Sequence, residues 1–371
     1  MKIAEAIARL PTIEVEEWRY TDLSGLAKRE FVAAGPAKPS LPTLDGLERV
    51  AFVGGALAPT VAPPTSGPGA LPQKGNLSQN YDSVIELNAA FAQTGLALDL
   101  PANTTRTPLH LVTWFGGTPE GHAHLRHRIR LARGASASIV LHELGDDAPF
   151  FATQVIEVEL AENATLRLDR IQRFGARTTA LTRIDVRVAR DARFDSVGLY
   201  AGGALARNDL NVALEGPGAQ VSLEGVLAPA PGEHLDVHTR IEHRAPHGTS
   251  REAFRCLVPA KARAIFNGMV MVREGAQKTD SEQHVDSLLL APGAEVNAKP
   301  ELLILADDVR CAHGATCGQL DEDALYYLRT RGLDLPAARA LLLRTFAQEI
   351  LNHIALEPAR LLALATLEPR L

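Results

Sequence analysis

The sequence predicts a mainly β chain, built as a central β-solenoid with small helical regions at both ends. Three observations carry that prediction. Segments with apolar residues at every second position run through the middle of the chain. In VIEVEL, Ile156, Val158 and Leu160 alternate with Glu157 and Glu159, and RIDVRVAR repeats the pattern with Ile184, Val186 and Val188. A period of two is that of a half-buried strand. Second, a small or polar residue followed by alanine recurs at Gly134-Ala135, Asn163-Ala164, Asp191-Ala192 and Gly218-Ala219, with steps of 29, 28 and 27 residues between the alanines. The phrase returns with wider gaps at Lys261-Ala262 and Gly293-Ala294. Fixed periods of this size mark stacked repeats, and glycine and asparagine suit the left-handed backbone of corners. Third, aromatic residues are 5% of a chain that is 46% hydrophobic. That aliphatic core suits stacked coils better than propeller blades, which are also longer. A large β-sandwich with regular turns is the alternative.

The elements follow in order. Residues 2–10 are expected to form a short amphipathic helix, with Ile3, Ala6, Ile7 and Leu10 on one face and Pro11 ending it. VEEWRYTDLSGL, 15–26, reads as a second short helix. AAGPAKPSLPTL, 33–44, reads as a proline-rich link, residues 60–73 as loop, and VIELNAAFAQ, 84–93, as another helix. Residues 1–95 are therefore a helical region with proline-rich linkers. Strand-like segments such as LALDL, LHLVTW, ASIVLHEL and TLRLDRI fill 96–318, and no segment of helical length interrupts them before about residue 321. Residues 319–371 are a small helical domain. DEDALYYLRTRG ends at a capping Gly332. In LDLPAARALLLRTFAQEILNHI, Asp334 caps the start and Pro336 sits in the first turn. Leu343, Phe346, Ala347, Ile350 and Ile354 form its apolar stripe. EPARLLALATL is a third helix.

Composition excludes several functions. A net charge of −6 with no block of Lys or Arg argues against nucleic acid as a partner. No apolar run approaches the roughly 18 residues of a membrane span. Glutamates occupy the place of a signal peptide's apolar run, and three cysteines are too few for a disulfide framework. A reduced, cytoplasmic protein is expected. No phosphate-binding G-x-x-x-x-G-K-[ST], dinucleotide G-x-G-x-x-G or nucleophile-elbow G-x-S-x-G is present, which argues against an enzyme of those classes.

Candidate ligand residues fall in three places. GHAHLRHRIR brings His122, His124 and His127 close in sequence, and HLDVHTRIEHRAPH contains His234, His238, His243 and His247. Neither has an evident carboxylate or cysteine to complete a zinc set, so packing is the stronger reading. DDVRCAHGATCGQL, 307–320, holds two of the three cysteines around a histidine. On a strand, Cys311 and His313 would share a face, and Cys317 could fold back past Gly314. Thiolate and imidazole suit iron or zinc, and three ligands are one short of a closed structural site, so a second chain could complete it. The alternative is a tight turn into the helices, with Cys311 as a small buried hydrophobe.

The same stretch carries a family resemblance. KPELLILADDVRCAHGATCGQLDEDALYYLRTRGL is similar to the signature of the SufD family, within the wider SufB/SufD group of iron–sulfur cluster assembly scaffolds. The likeness continues, in matching order, through EEWRYTDL, LNAAFAQTGLALDLP, HLDVHTRIEHRAPHGTSREAFRCLV, AIFNGMVMVREGAQKTDSEQ and SLLLAPGAEV. The histidine of C-x-H-G-A-T favours SufD over SufB. The resemblance implies a right-handed parallel β-helix between N- and C-terminal helical domains. It implies pairing with a SufB subunit through the β-helices and docking of the ATPase SufC on the C-terminal helices. An exposed solenoid end leads to the expectation of a homodimer when the chain is isolated. His313 matches the family histidine implicated in cluster formation at the SufB interface, and Cys311 the cysteine beside it. Cys317 departs from the pattern, where a small aliphatic residue is common, and Cys256 is expected in the core. No tightly bound cofactor is expected in the isolated chain, only a transient iron–sulfur cluster in the complex. Two rival readings are a purely structural subunit of that complex and, remotely, a β-helical enzyme acting on polysaccharide.

Overall fold

The computed structural model describes residues 2–58 and 83–371; the loop expected at 60–73 lies outside them. Two long sheets dominate. The first runs through Val32–Ala33, Gly121–Leu131, Phe150–Leu160, Thr178–Val188, Leu205–Leu214, His234–His243, Arg263–Val272 and Glu295–Ile304, with Ala97–Leu100 also paired to Gly121–Leu131. The second runs through Glu48–Val53, Leu109–Phe115, Ser136–Gly145, Thr165–Arg173, Arg193–Tyr200, Gln220–Leu227, Thr249–Val258, Asp280–Leu289 and Arg310–Gly318. From Gly121 onward the chain alternates strictly between the sheets, and every pairing along these two paths is parallel, so each coil adds one strand to each sheet. That is a parallel β-solenoid.

The corners explain the repeat. Gly134, Asn163, Asp191 and Gly218 all have left-handed backbone, with φ of 66°, 58°, 51° and 71°. The alanine that follows each is buried. These corners stack: the Gly134 N–H donates to Glu162, Asn163 to Arg190, Asp191 to Pro217 and Gly218 to Pro246. The column continues through His247 and Lys278, which keep the positive φ but lack the alanine, so the phrase disappears from the sequence there. Lys261 and Gly293 belong to the opposite corner, which is why their gaps differ.

Between the sheets lies one continuous apolar core, mostly aliphatic with several phenylalanines, from Val50 and Leu109 at one end to Val285 and Ala306 at the other. Cys256 is fully buried in it, and burial pushes its thiol up to about 12. Packing at interior densities leaves little room for variation in such rows.

The N-terminal region differs in detail from expectation. The first helix spans only Ile3–Ile7, and 15–26 holds a single 3₁₀ turn, Glu16–Trp18, with a second, Leu26–Lys28, starting at its end, rather than a helix. The reason is tertiary. Trp18 stacks 3.9 Å from the Arg207 guanidinium, and the Thr21 hydroxyl donates to the buried Asp236 carboxylate. Glu48–Val53, within the region expected to be helical with linkers, is a strand and joins the second sheet beside Leu109–Phe115. The helix expected at 84–93 spans Ser83–Phe91.

At the other end, helices span Glu322–Thr330, Leu335–Leu351 and Glu357–Leu367. Asp334 caps the second, accepting from the Ala337 N–H at 2.8 Å, and Gly332 ends the preceding turn with φ 97°. Leu343, Ala347, Ile350 and Ile354 are buried against Val140, Ile171, Val197, Leu199 and Val226 on the outer face of the second sheet. Phe346 is partly buried, under the Arg255 guanidinium at 4.5 Å. Most of the stripe therefore holds the helix to its own solenoid. What these helices leave exposed lies elsewhere: Tyr326, Tyr327, Leu335, Leu341 and Leu361.

Candidate functional site at the open end of the solenoid

Each sheet ends on the last coil. Among the described residues, Glu295–Ile304 pairs only with Arg263–Val272, and Arg310–Gly318 only with Asp280–Leu289, so both strands present a free edge there. Pro300 fits this position, because proline is tolerated in edge strands. The exposed Leu303, Ile304 and Leu305 lie at the same end.

The whole of RCAHGATCG is strand. Gly314 lies within it and makes no turn, so the tight-turn reading is corrected and Cys317 does not fold back. Side chains alternate across a strand, and Cys311 packs on the central core. His313, Ala315 and Cys317 share its parity and hence its face. The register sets Cys311 over Ser281, His313 over Gln283 and Cys317 over Ser287. All three candidate ligands thus line the inner side of the last coil, with no further coil above them. Cys311 is half-buried, while His313 and Cys317 are exposed. Burial and the nearby Asp280 charge raise the Cys311 pKa, against a hydrogen bond with the Ser281 backbone. The thiol is therefore favoured over the thiolate until a metal or a cationic neighbour reverses the balance. Among the described residues, no group of three or more His, Cys, Asp or Glu side chains is placed to hold a metal ion.

The other histidines disperse. His122 and His124 face outward under Phe91, their ring nitrogens 3.0 Å apart, and burial with the His122 charge lowers the His124 pKa to about 3. His127 points the other way, into the core, and accepts from the Leu96 N–H at 2.9 Å. In the second cluster His238 lies 2.9 Å from Asp236, His243 is bonded inside to Ser250 at 2.9 Å, and His247 occupies a corner. Burial opposes charge on Asp236, but His238, Arg207 and Thr21 outweigh it and hold the carboxyl below the usual range. These are packing and pairing roles. Glu252 and Gln283, directly inward of His313, escaped the sequence reading, because only strand register brings residues 31 and 30 positions apart into one column.

The sequence of this solenoid matches a known family. The family described as SUF system FeS cluster assembly, SufBD core domain, matches residues 115–346. The iron-sulfur cluster assembly protein SufD of Escherichia coli (strain K12) is 31% identical over 379 residues, covering 98% of this chain and 89% of that protein. An iron-sulfur cluster assembly SufBD family protein of Synechocystis is 29% identical, covering 94% of this chain and 84% of its own. One from Mycobacterium tuberculosis (H37Rv) is 27% identical, covering 96% and 88%. The chain belongs to the SufD family of iron–sulfur cluster assembly proteins. No helix among the described residues is long and apolar enough to cross a membrane.

Proposed function

We propose that this chain is a non-enzymatic scaffold subunit that pairs with a SufB-like subunit across the open end of its solenoid and contributes ligands to a nascent iron–sulfur cluster there. The observation that carries the reading is the coincidence of two features on one coil: the free edges of both sheets, and the inward-facing Cys311 and His313. A like solenoid can continue both sheets by strand addition. That would cover Leu303, Ile304 and Leu305, enclose the two side chains, and let the partner supply the remaining ligands. Neutral imidazole and thiolate are the forms that bind metal. His313 takes the first role, Cys311 the second, and Cys317 a lesser one. The cluster is cargo, held in the complex and passed on, and the isolated chain keeps no tightly bound cofactor.

A SufC-like ATPase docks on the C-terminal helices, and the exposed Tyr326, Tyr327, Leu335, Leu341 and Leu361 offer the apolar surface for it. In isolation two copies of the chain pair by the same end. The working compartment is the cytoplasm.

The test is His313→Ala in a complex reconstituted with SufB and SufC under anaerobic conditions, read by the cluster's absorption spectrum. A loss of most cluster formation with the complex intact is expected. Undiminished formation would leave only the structural role, completion of the complex.

A further inference from the structure

Inward of His313 the solenoid holds a short polar column. The register aligns Glu252 with Gln283 and Gln283 with His313, and the next residue inward is the apolar Leu223. The polar run thus begins at Glu252 and ends at the open coil. Burying a carboxyl and an amide costs free energy that apolar residues would not, and only 3% of Glu252 and 1% of Gln283 is exposed. Three features place the amide. Gln283 Nε2 donates to Glu252 Oε2 at 2.7 Å. On the facing sheet Gly268 makes room for it, since a Cβ there would lie 2.1 Å from that same nitrogen. With its donor end turned to Glu252, the amide keeps its carbonyl oxygen free, and among the described residues Gln283 Oε1 is a buried acceptor with no partner.

A neutral imidazole has one N–H and one bare nitrogen, and the partner of the N–H decides which nitrogen is bare. Residues behind a metal-binding histidine commonly perform this service. We propose that Gln283, held by Glu252, is a positioning residue for His313: a turn of the exposed imidazole brings its N–H to the unpartnered carbonyl oxygen of Gln283, and the bond so made selects the ring nitrogen left to meet incoming iron. The proposal rests on the ligand role assigned to His313 above.

The probe is the full chain carrying 15N-labelled histidine, studied by NMR at alkaline pH, where imidazoles are neutral. A hydrogen bond of ordinary net strength gives one His313 tautomer a roughly fivefold excess. Gln283→Leu is expected to bring the ratio to that of the exposed His247. In the SufB–SufC complex it is expected to slow cluster formation about tenfold, a usual size for loss of such support. The exchanged pair, Glu252→Gln with Gln283→Glu, keeps an acceptor below His313 and is expected to retain both the excess and the rate. An unchanged tautomer ratio in Gln283→Leu, or an even ratio in the exchanged pair, overturns the proposal. If Gln283→Leu does not fold, the exchanged pair decides alone. If Gln283→Leu shifts the tautomer while His313→Ala leaves cluster formation intact, the contact is supported and the ligand role falls.

Discussion

Glu252→Gln gives a stability difference whose dependence on pH can be worked out in advance. Burial pushes the Glu252 carboxyl from an ordinary 4.5 up to about 7, against hydrogen bonds from its neighbours that include Gln283. In the folded chain it stays protonated to near neutrality, whereas the unfolded chain releases the proton from about pH 4.5. Between those values the folded state binds more protons than the unfolded state, so stability falls as pH rises. Nothing is lost below pH 4.5, and the whole penalty is present above about pH 7. A shift of some 2.5 units at about 1.4 kcal/mol each amounts to roughly 3 kcal/mol. Glutamine keeps the shape and can still accept from Gln283, but it carries no proton to release. The variant should therefore match the parent near pH 4.5 and exceed it by about 3 kcal/mol near pH 8. Urea denaturation of both chains at several pH values measures the difference, in which the ionisation of other groups cancels. A difference that stays flat from pH 5 to 8, or one that favours the parent as pH rises, would refute the reasoning.

Other expectations follow from packing and backbone. Ile350→Ala opens a cavity between the long helix and the second sheet and should cost about 2–5 kcal/mol in thermal or chemical denaturation. Asp334→Ala removes the N-cap of that helix and should cost about 1 kcal/mol, read by the same assays. At Asn163, with φ 58°, alanine should lower stability by about 1 kcal/mol while glycine stays close to the parent; calorimetry distinguishes them.

Much of the fold was legible because the solenoid repeats its physics. One left-handed corner and one buried alanine per coil leave a phrase at Ala135, Ala164, Ala192 and Ala219 that can be counted. Where His247 and Lys278 take the corner without the alanine, the count fails although the geometry persists. The N-terminal segment misled for another reason: the helical spacing near Trp18 and Thr21 reflects contacts with Arg207 and Asp236, far away in sequence. At the open end, the pairing of Cys311 with His313 on one face followed from strand alternation. The extended path through Gly314 to Cys317 did not, since glycine in a sequence suggests a turn and only the ladder to His284 shows a strand. Gln283 carried no local signal, because its neighbours in the column come from other coils.

The free edges also bear on rigidity. In a stack, each coil is held mainly by the coils next to it. Among the described residues, the coil that carries His313 has a neighbour on one side only, so it is less protected from local opening than the inner coils. A second solenoid on the open end would turn that terminal coil into an internal one. The ligand strand would then gain its second neighbour at the moment of pairing, and its backbone would share the protection of the inner coils.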